Sequence, residues 1–398
     1  MPDPSAVQAV ASAQFGAGSR RLMIWLYAGV AFLYWVGLYL YIPTLPTYVQ
    51  SKTENLAMVG VVLSMYGLWQ AIIRLPLGIA ADWLGQRKPF ILIGLILTGL
   101  GAWIMGNAEG VTGLLAGRAI TGLAAGTWVP LVVVFSSLFP PQEAVRATAL
   151  LTMIGSVGRI LAASITGSLN QMGGYSLAFF LATGAAALAI LIVLPSKERQ
   201  HLPQRPSLRG VGHLITRRDV LLPALLAALS QYANWASTFG FMPILASQLG
   251  ATDVAQSMLV SMHIGVAILG NLAATTIVRR LGPQRLVYLS FVLLSAGIGG
   301  AALATWLPVL FISQFCIGLS QGIGYPVLMG MSIQYVADAE RTTAMGLHQA
   351  VYAAGMFSGP WVSGQLADAI GIRPTFAMTA IICLSAGLLL SRWLAPEK

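Results

Sequence analysis

The sequence predicts an all-α membrane protein, with twelve transmembrane helices in two pseudo-symmetric six-helix bundles around a central cavity. Three observations carry that prediction. Of the 398 residues, 57% are hydrophobic and 9% charged, whereas a soluble globular chain carries about 25% charged residues. Apolar runs able to cross a bilayer core, which takes about 20 residues as a helix, recur twelve times. Glycine-containing strings from the first half of the chain return in the second.

In order, the spans read as 22–46, 56–80, 89–107, 110–138, 147–170 and 174–195, then 220–248, 254–278, 284–305, 307–334, 343–367 and 372–394. Span 1 follows a small-residue tail without a signal-peptide cleavage pattern and reads as a retained anchor. Span 2 carries Arg74, span 4 Arg118 and span 5 Arg159; span 3 is uncharged. The polar stretch Ser196–Asp219, rich in Pro, Gly and Arg, separates two halves. The division is therefore residues 1–195 as one six-helix bundle with a short cytoplasmic tail, 196–219 as a cytoplasmic linker and 220–398 as the second bundle. Cys316 and Cys383 lie in spans 10 and 12 and are expected to pack as thiols. No sustained alternation suggests a β-barrel.

The net charge of +10 follows from topology. With the N-terminus inside, Arg20, Arg21, Arg87, Lys88, Arg146, the linker arginines, Arg279, Arg280, Arg285, Arg341, Arg392 and Lys398 all fall on the cytoplasmic side. Only Lys52 and Arg373 fall outside. This positive-inside bias orients a multi-pass protein in the plasma (inner) membrane with both termini cytoplasmic. It also argues against nucleic-acid binding.

The halves repeat. "GLAAGTWVP" (Gly122–Pro130) and "GLSQGIGYP" (Gly318–Pro326) share G-L-x-x-G-x-x-x-P at an offset of 318 − 122 = 196 residues, and "LGQR" after span 2 is answered by "LGPQR" after span 8. A shared offset marks a duplicated unit. Tandem six-helix halves suit a carrier whose site lies between them near the midplane.

Between spans 2 and 3, "GIAADWLGQRKPF" places Gly78, Asp82, Gly85, Arg87 and Lys88 in the pattern G-x-x-x-D-x-x-G-x-[RK]-[RK]. This resembles the signature of the major facilitator superfamily. "RAITGLAAG" is similar to its span-4 pattern R-x-x-x-G-x-x-x-G, through Arg118, Gly122 and Gly126. "YIPTLPTYV", ending span 1, is similar to the drug–proton antiporter branch. The resemblance implies a secondary transporter, and within it an exporter of small organic or amphipathic solutes coupled to protons. It also implies a cytoplasmic latch in which Asp82 meets a helix N-terminus or an arginine, with Arg146 and Arg341 as partners. Gly78 is expected to admit a neighbouring helix and Gly85 a tight turn. Arg279 stands where Asp82 would be in the second copy. The span-5 glycine–proline antiporter pattern is absent; a similar string, "GMFSGPWVSG", occurs in span 11 instead.

Charges at bilayer depth are costly and mark functional sites. Arg118 and Arg159 are the substrate-cavity candidates, and no Asp or Glu falls near the middle of any span. A basic cavity favours anionic or zwitterionic substrates. Polar residues at helical spacing extend the candidate face: Tyr66 and Gln70 in span 2, Gln231 and Asn234 in span 7, Gln321 and Tyr325 in span 10. Trp35, Trp128, Trp235 and Tyr352 are candidate aromatic walls. His263, at the repeat position of Tyr66, is the deep proton-site candidate. A facilitative or exchange carrier for an organic anion, without protons, is the alternative. No P-loop, metal cluster or nucleophile motif points to a cofactor or an enzyme. The expected partners are a small-molecule substrate, membrane lipid and protons, with the chain acting as a monomer.

Overall fold

The computed structural model describes residues 17–196, 209–337 and 340–394, and each of the twelve spans is helical. Span 1 is Ala17–Tyr39, continued by short turns at Ile42–Thr44 and Leu45–Gln50. Pro43 and Pro46 stand at the starts of those turns, where a missing N–H costs least. Span 2 is Leu56–Leu84 and span 3 Lys88–Gly106. Span 4 runs as Val111–Gly126 and Trp128–Ser137, divided at Thr127. Spans 5 and 6 are the two arms of Ala144–Val193, folded back at Gly173 and Gly174, the latter with φ 69°.

In the second half, a π-helical turn at Ser237–Phe241 joins Arg218–Ala236 to Met242–Gln248 as span 7. Asp253–Leu281, Pro283–Leu303, Leu307–Ile333, Arg341–Ile370 and Ile372–Ser391 are spans 8 to 12. The expected linker is described in part. Residues 197–208 lie outside the described residues, but Arg209–Thr216 forms a helix whose Leu214 packs with Val220, Val336 and Ala344.

The repeat is visible in the packing. A methyl group on Gly101 would meet Gly117 O and Thr121 Cγ2 at 2.8 and 2.6 Å; one on Gly297 would meet Ser313 O and Ile317 Cγ1 at 2.8 and 2.7 Å. The three pairs of positions each differ by 196 residues. Gly122 lies against Tyr66 O, and Gly318 lies against His263 O in the same way. Gly85 and Gly282, at the ends of spans 2 and 8, both have positive φ, 62° and 76°, which only glycine adopts freely.

The halves join at the end opposite the Arg87, Lys88, Arg279 and Arg280 loops. There Leu56 N donates to Asp368 Oδ1 at 2.9 Å, Thr47 Oγ1 to Gln256 Oε1 at 3.1 Å and Asn170 Nδ2 to Asp253 Oδ2 at 2.8 Å. Asp253 is the first residue of span 8. Spans 2 and 11 form a glycine seam below this. Gly60 faces Gly364 and Pro360, and Gly67 faces the backbone of Met356 and Phe357. Gly355 and Gly359 press span 11 onto Ala228 and Tyr232 of span 7, so the glycine-rich string of span 11 packs on two neighbours at once. Cys316 and Cys383 are free thiols.

Candidate functional site

A chain of aromatic rings crosses between the halves at mid-depth. Trp128 lies edge-on to Trp35 with ring centres 5.1 Å apart, and Trp35 to Tyr39 at 5.6 Å. Tyr39 meets Phe239 of span 7 at 6.2 Å, and Phe239 meets Trp235 at 4.8 Å. Trp235 stacks on Tyr66 of span 2 at 5.3 Å, with 20° between ring planes. Sequence reasoning named Trp35, Trp128, Trp235 and Tyr66 but missed Tyr39 and Phe239. Each lies one turn beyond a named tryptophan, at i+4, and that spacing was the available signal.

The arginines sit on these rings. Gly122 and Gly126 bring span 4 against Tyr66 and Ile73 of span 2. Arg118, one turn earlier on span 4, then lays its guanidinium 4.2 Å from the centre of the Tyr66 ring. It is 1% exposed, with Tyr39 and Tyr41 also close by, and its Nε and Nη1 make no hydrogen bond. The expected open-cavity arginine is thus roofed by Tyr66 and, through the stack, by Trp235.

Arg159 differs. Gly155 lets the Trp35 indole lie directly on span 5, and Arg159, one turn on, stands 4.8 Å from Trp35 and 5.8 Å from Tyr39. Its Nη2 donates to Ser156 Oγ at 2.7 Å and its Nε is unpartnered. The residue is half-buried. Arg74, also half-buried, donates through Nη1 to Gln349 Oε1 of span 11, and Gln349 Nε2 donates to Tyr325 Oη at 3.1 Å. Tyr325 lies 5.2 Å from Tyr352, ring centre to ring centre. Gln349 was not foreseen, although it lies one turn from Tyr352 and Tyr325 lies in the repeat string of span 10.

Two of the polar candidates bond to each other instead of lining an open face. Gln231 Nε2 donates to Gln321 Oε1 at 2.7 Å, and Gln321 Nε2 to Ser230 Oγ at 2.9 Å. Nearby, Thr238 Oγ1 donates to Gln314 Oε1 at 2.9 Å. Spans 7 and 10 are therefore laced together by these amides. Gln70 Oε1 and Asn234 Oδ1 are buried without a partner.

His263 is 3% exposed, edge-on to Phe239 at 5.7 Å, with Nδ1 unpartnered. His348 shares a 2.8 Å hydrogen bond with Ser332 through Nδ1. Among the described residues, no group of three His, Cys, Asp or Glu gathers as a metal site would need.

At the gate motif, Gly85 makes the left-handed turn that ends span 2. A methyl group on Gly78 would meet nothing within 4 Å among the described residues. The Asp82 and Arg341 side chains lie outside the described residues. Arg146 is exposed and Arg87 half-buried. Lys88 Nζ donates to Leu194 O and Ser196 O at 2.7 and 2.6 Å, tying the motif loop to the end of span 6.

Comparison with known proteins identifies the architecture. The family model described as Major Facilitator Superfamily matches residues 27–230 and 224–398. The chain is 27% identical over 366 residues to "Multidrug resistance protein MdtH" of Aeromonas salmonicida, covering 88% of this chain and 89% of that protein. It is 23% identical over 382 residues to "Multidrug resistance protein 1" of Bacillus subtilis, covering 92% and 94%. The crystal structure of a bacterial homologue of the human lysosomal transporter Spinster, inward-facing and unoccupied, superposes with a TM-score of 0.78 at 14% identity, covering 96% of this chain and all of that one. Matched by one family model in both halves, the chain belongs to the Major Facilitator Superfamily and is a multi-pass membrane transporter, not an enzyme.

Proposed function

We propose that the protein exports small organic or amphipathic solutes by alternating access, favours anionic or zwitterionic ones, and draws on a proton gradient. The observation that carries the substrate reading is Arg159, a half-buried guanidinium over Trp35 and Tyr39 whose Nε has no partner. Its described hydrogen bond goes to a neutral serine, so it retains its capacity for an acid. A guanidinium grips carboxylate or phosphate oxygens through paired N–H donors. Export is supported by the relatives, two of which carry the name multidrug resistance protein.

In this reading the basic end is cytoplasmic and both termini lie there. The described contacts then close the opposite, outer end. Asp82, with Arg146 or the start of span 11 near Arg341, closes the cytoplasmic end in the alternate state, and Gly78, Gly85, Arg87 and Lys88 frame that latch. The chain works as a monomer.

A second reading, an organic-anion carrier without proton coupling, is favoured by the setting of His263. Its ring faces Phe239 and its Nδ1 meets no polar group. Proteoliposomes separate the two. Substrate movement that rises with an imposed pH gradient supports coupling; movement set only by the substrate gradient, or by counter-substrate, assigns the carrier reading. Preference for lipophilic cations over anions refutes the substrate reading in both.

A further inference from the structure

We propose that the site takes an aromatic acid, its acid group held between Arg74 and Arg159 and its ring against Tyr325 and Tyr352. This rests on the anion reading above and narrows it. Of the three arginines well inside the spans of the first half, Arg118 is sealed under Tyr66, which leaves Arg74 and Arg159, both half-buried. Each has a buried Nε without a partner, and each spends its described hydrogen bond on a neutral group, Gln349 or Ser156. Arg74 of span 2 reaches Tyr325 of span 10 through Gln349, Tyr325 lies 5.2 Å from Tyr352 of span 11, and Arg159 of span 5, over Trp35, acts electrostatically on the same two phenols. Two cations of one half therefore converge on two rings of the other.

That convergence selects the ligand. Two guanidiniums with unspent N–H groups want an acceptor bearing negative charge. Each is accompanied by rings: Trp35 lies under Arg159, and the tilted Tyr325–Tyr352 pair adjoins Gln349, which Arg74 holds. An arene stacks on such a wall, gaining over an aliphatic group of equal area. A carboxylate conjugated to an arene lies close to the ring plane, so one rigid molecule reaches arginine and tyrosine together and loses little freedom on binding.

The test is calorimetric titration of the full-length protein in detergent with three probes: naphthoate, its fully saturated decalin carboxylate, and naphthylmethyl-trimethylammonium. Naphthoate should bind tighter than the decalin acid by roughly twofold to tenfold, the range of an aromatic pair beyond its area. Arg74→Gln and Arg159→Gln should each weaken naphthoate at least about tenfold, as loss of a charge-assisted bond does. Tyr352→Leu should erase the preference for the arene while acid binding remains. Thermal melting of each variant confirms its fold. Equal affinity for the two acids overturns the aromatic inference and leaves the anion reading standing. Binding of the ammonium probe in preference to both acids overturns both. Parent-like affinity in Arg74→Gln, or no binding of any probe by a protein that melts cooperatively, also overturns the proposed clamp.

Discussion

Gly67→Ala tests whether the seam between spans 2 and 11 holds the two halves together. A methyl group there would stand 2.5 Å from Phe357 N, 2.6 Å from Met356 C and 2.9 Å from Met356 O. All three are backbone atoms, so no side-chain rotation relieves the clash. Non-bonded carbon contacts settle at about 3.5 Å, so the spans must part by about 1 Å. Overpacking a close interface costs about 1–3 kcal/mol. The cost falls only on the conformation in which the halves touch here. A penalty of that size shifts the balance between closed and open about 5–150-fold. Within span 2 itself, alanine for glycine favours the helix by up to about 1 kcal/mol, so the fold of the first half is not the casualty.

Spin labels at Glu54 and Ile370, both exposed at the joined end and on opposite halves, read the outcome by pulsed dipolar spectroscopy, with Cys316 and Cys383 replaced by alanine. The Gly67→Ala distribution should gain a longer component. Gly184→Ala, where a methyl group meets nothing within 4 Å, should leave it unchanged. A Gly67→Ala distribution identical to the parent's would refute the reasoning, because the packing would then be yielding without moving the halves.

Four further outcomes are expected. Gly122→Val, with its Cβ 2.8 Å from Tyr66 O, should lower the melting temperature and displace Tyr66 from Arg118; a variant as stable as the parent contradicts the span 2–span 4 contact. Asp82→Asn should reduce transport and lengthen spin-label distances across the basic end while membrane insertion stays normal; unchanged transport and distances remove the latch. His263→Gln should keep substrate binding but abolish the response to a pH gradient, and parent-like gradient-driven transport assigns the proton elsewhere. In the linker region, hydrogen bonds from Arg217 hold the Asp219 carboxyl below its usual range. Stability from a depressed carboxyl is full above its unfolded value near pH ~3.9 and is lost as pH falls through the folded value. Arg217→Ala should therefore cost about 0.2–1 kcal/mol at neutral pH, as a solvent-screened surface pair does, and the gap in melting temperature should narrow on acidification.

The span pattern and the repeat were legible because both rest on properties that burial in lipid enforces along the chain. Apolar runs must be long enough to cross, and glycine must recur wherever two helix backbones approach. Gly122 with Gly318 and Gly85 with Gly282 show this at single residues. The partners across a contact were not legible. Gln231, Gln321 and Gln70 look alike in sequence, yet the first two bond to each other and the third does not, since that depends on helix rotation. Arg209–Thr216 was hidden for another reason: eight residues flanked by prolines and arginines carry too short a pattern to tell a surface helix from a linker. Tyr39 and Phe239 were legible in principle, being one turn from tryptophans already singled out.

The three arginines Arg74, Arg118 and Arg159 pose the same electrostatic problem and meet it differently. A guanidinium over an aromatic face gains about 0.5–1 kcal/mol at exposed sites and about 2 or more when desolvated. A buried N–H without a partner costs about 1–3 kcal/mol. Arg118 has one ring and two such nitrogens, so the Tyr66 face alone does not offset its burial. The Tyr41 hydroxyl, also without a hydrogen-bond partner, lies close to it. Arg118 therefore reads as internal to the first half while the Trp235–Tyr66 stack is made. Since that stack joins the two halves, separating them at this depth removes the outer ring of the roof over Arg118. Arg159 and Arg74 are already half exposed and need no such motion to meet a ligand. In the proposed site, the depth of a charge in the membrane does not decide which arginine meets the ligand; the cover over it does.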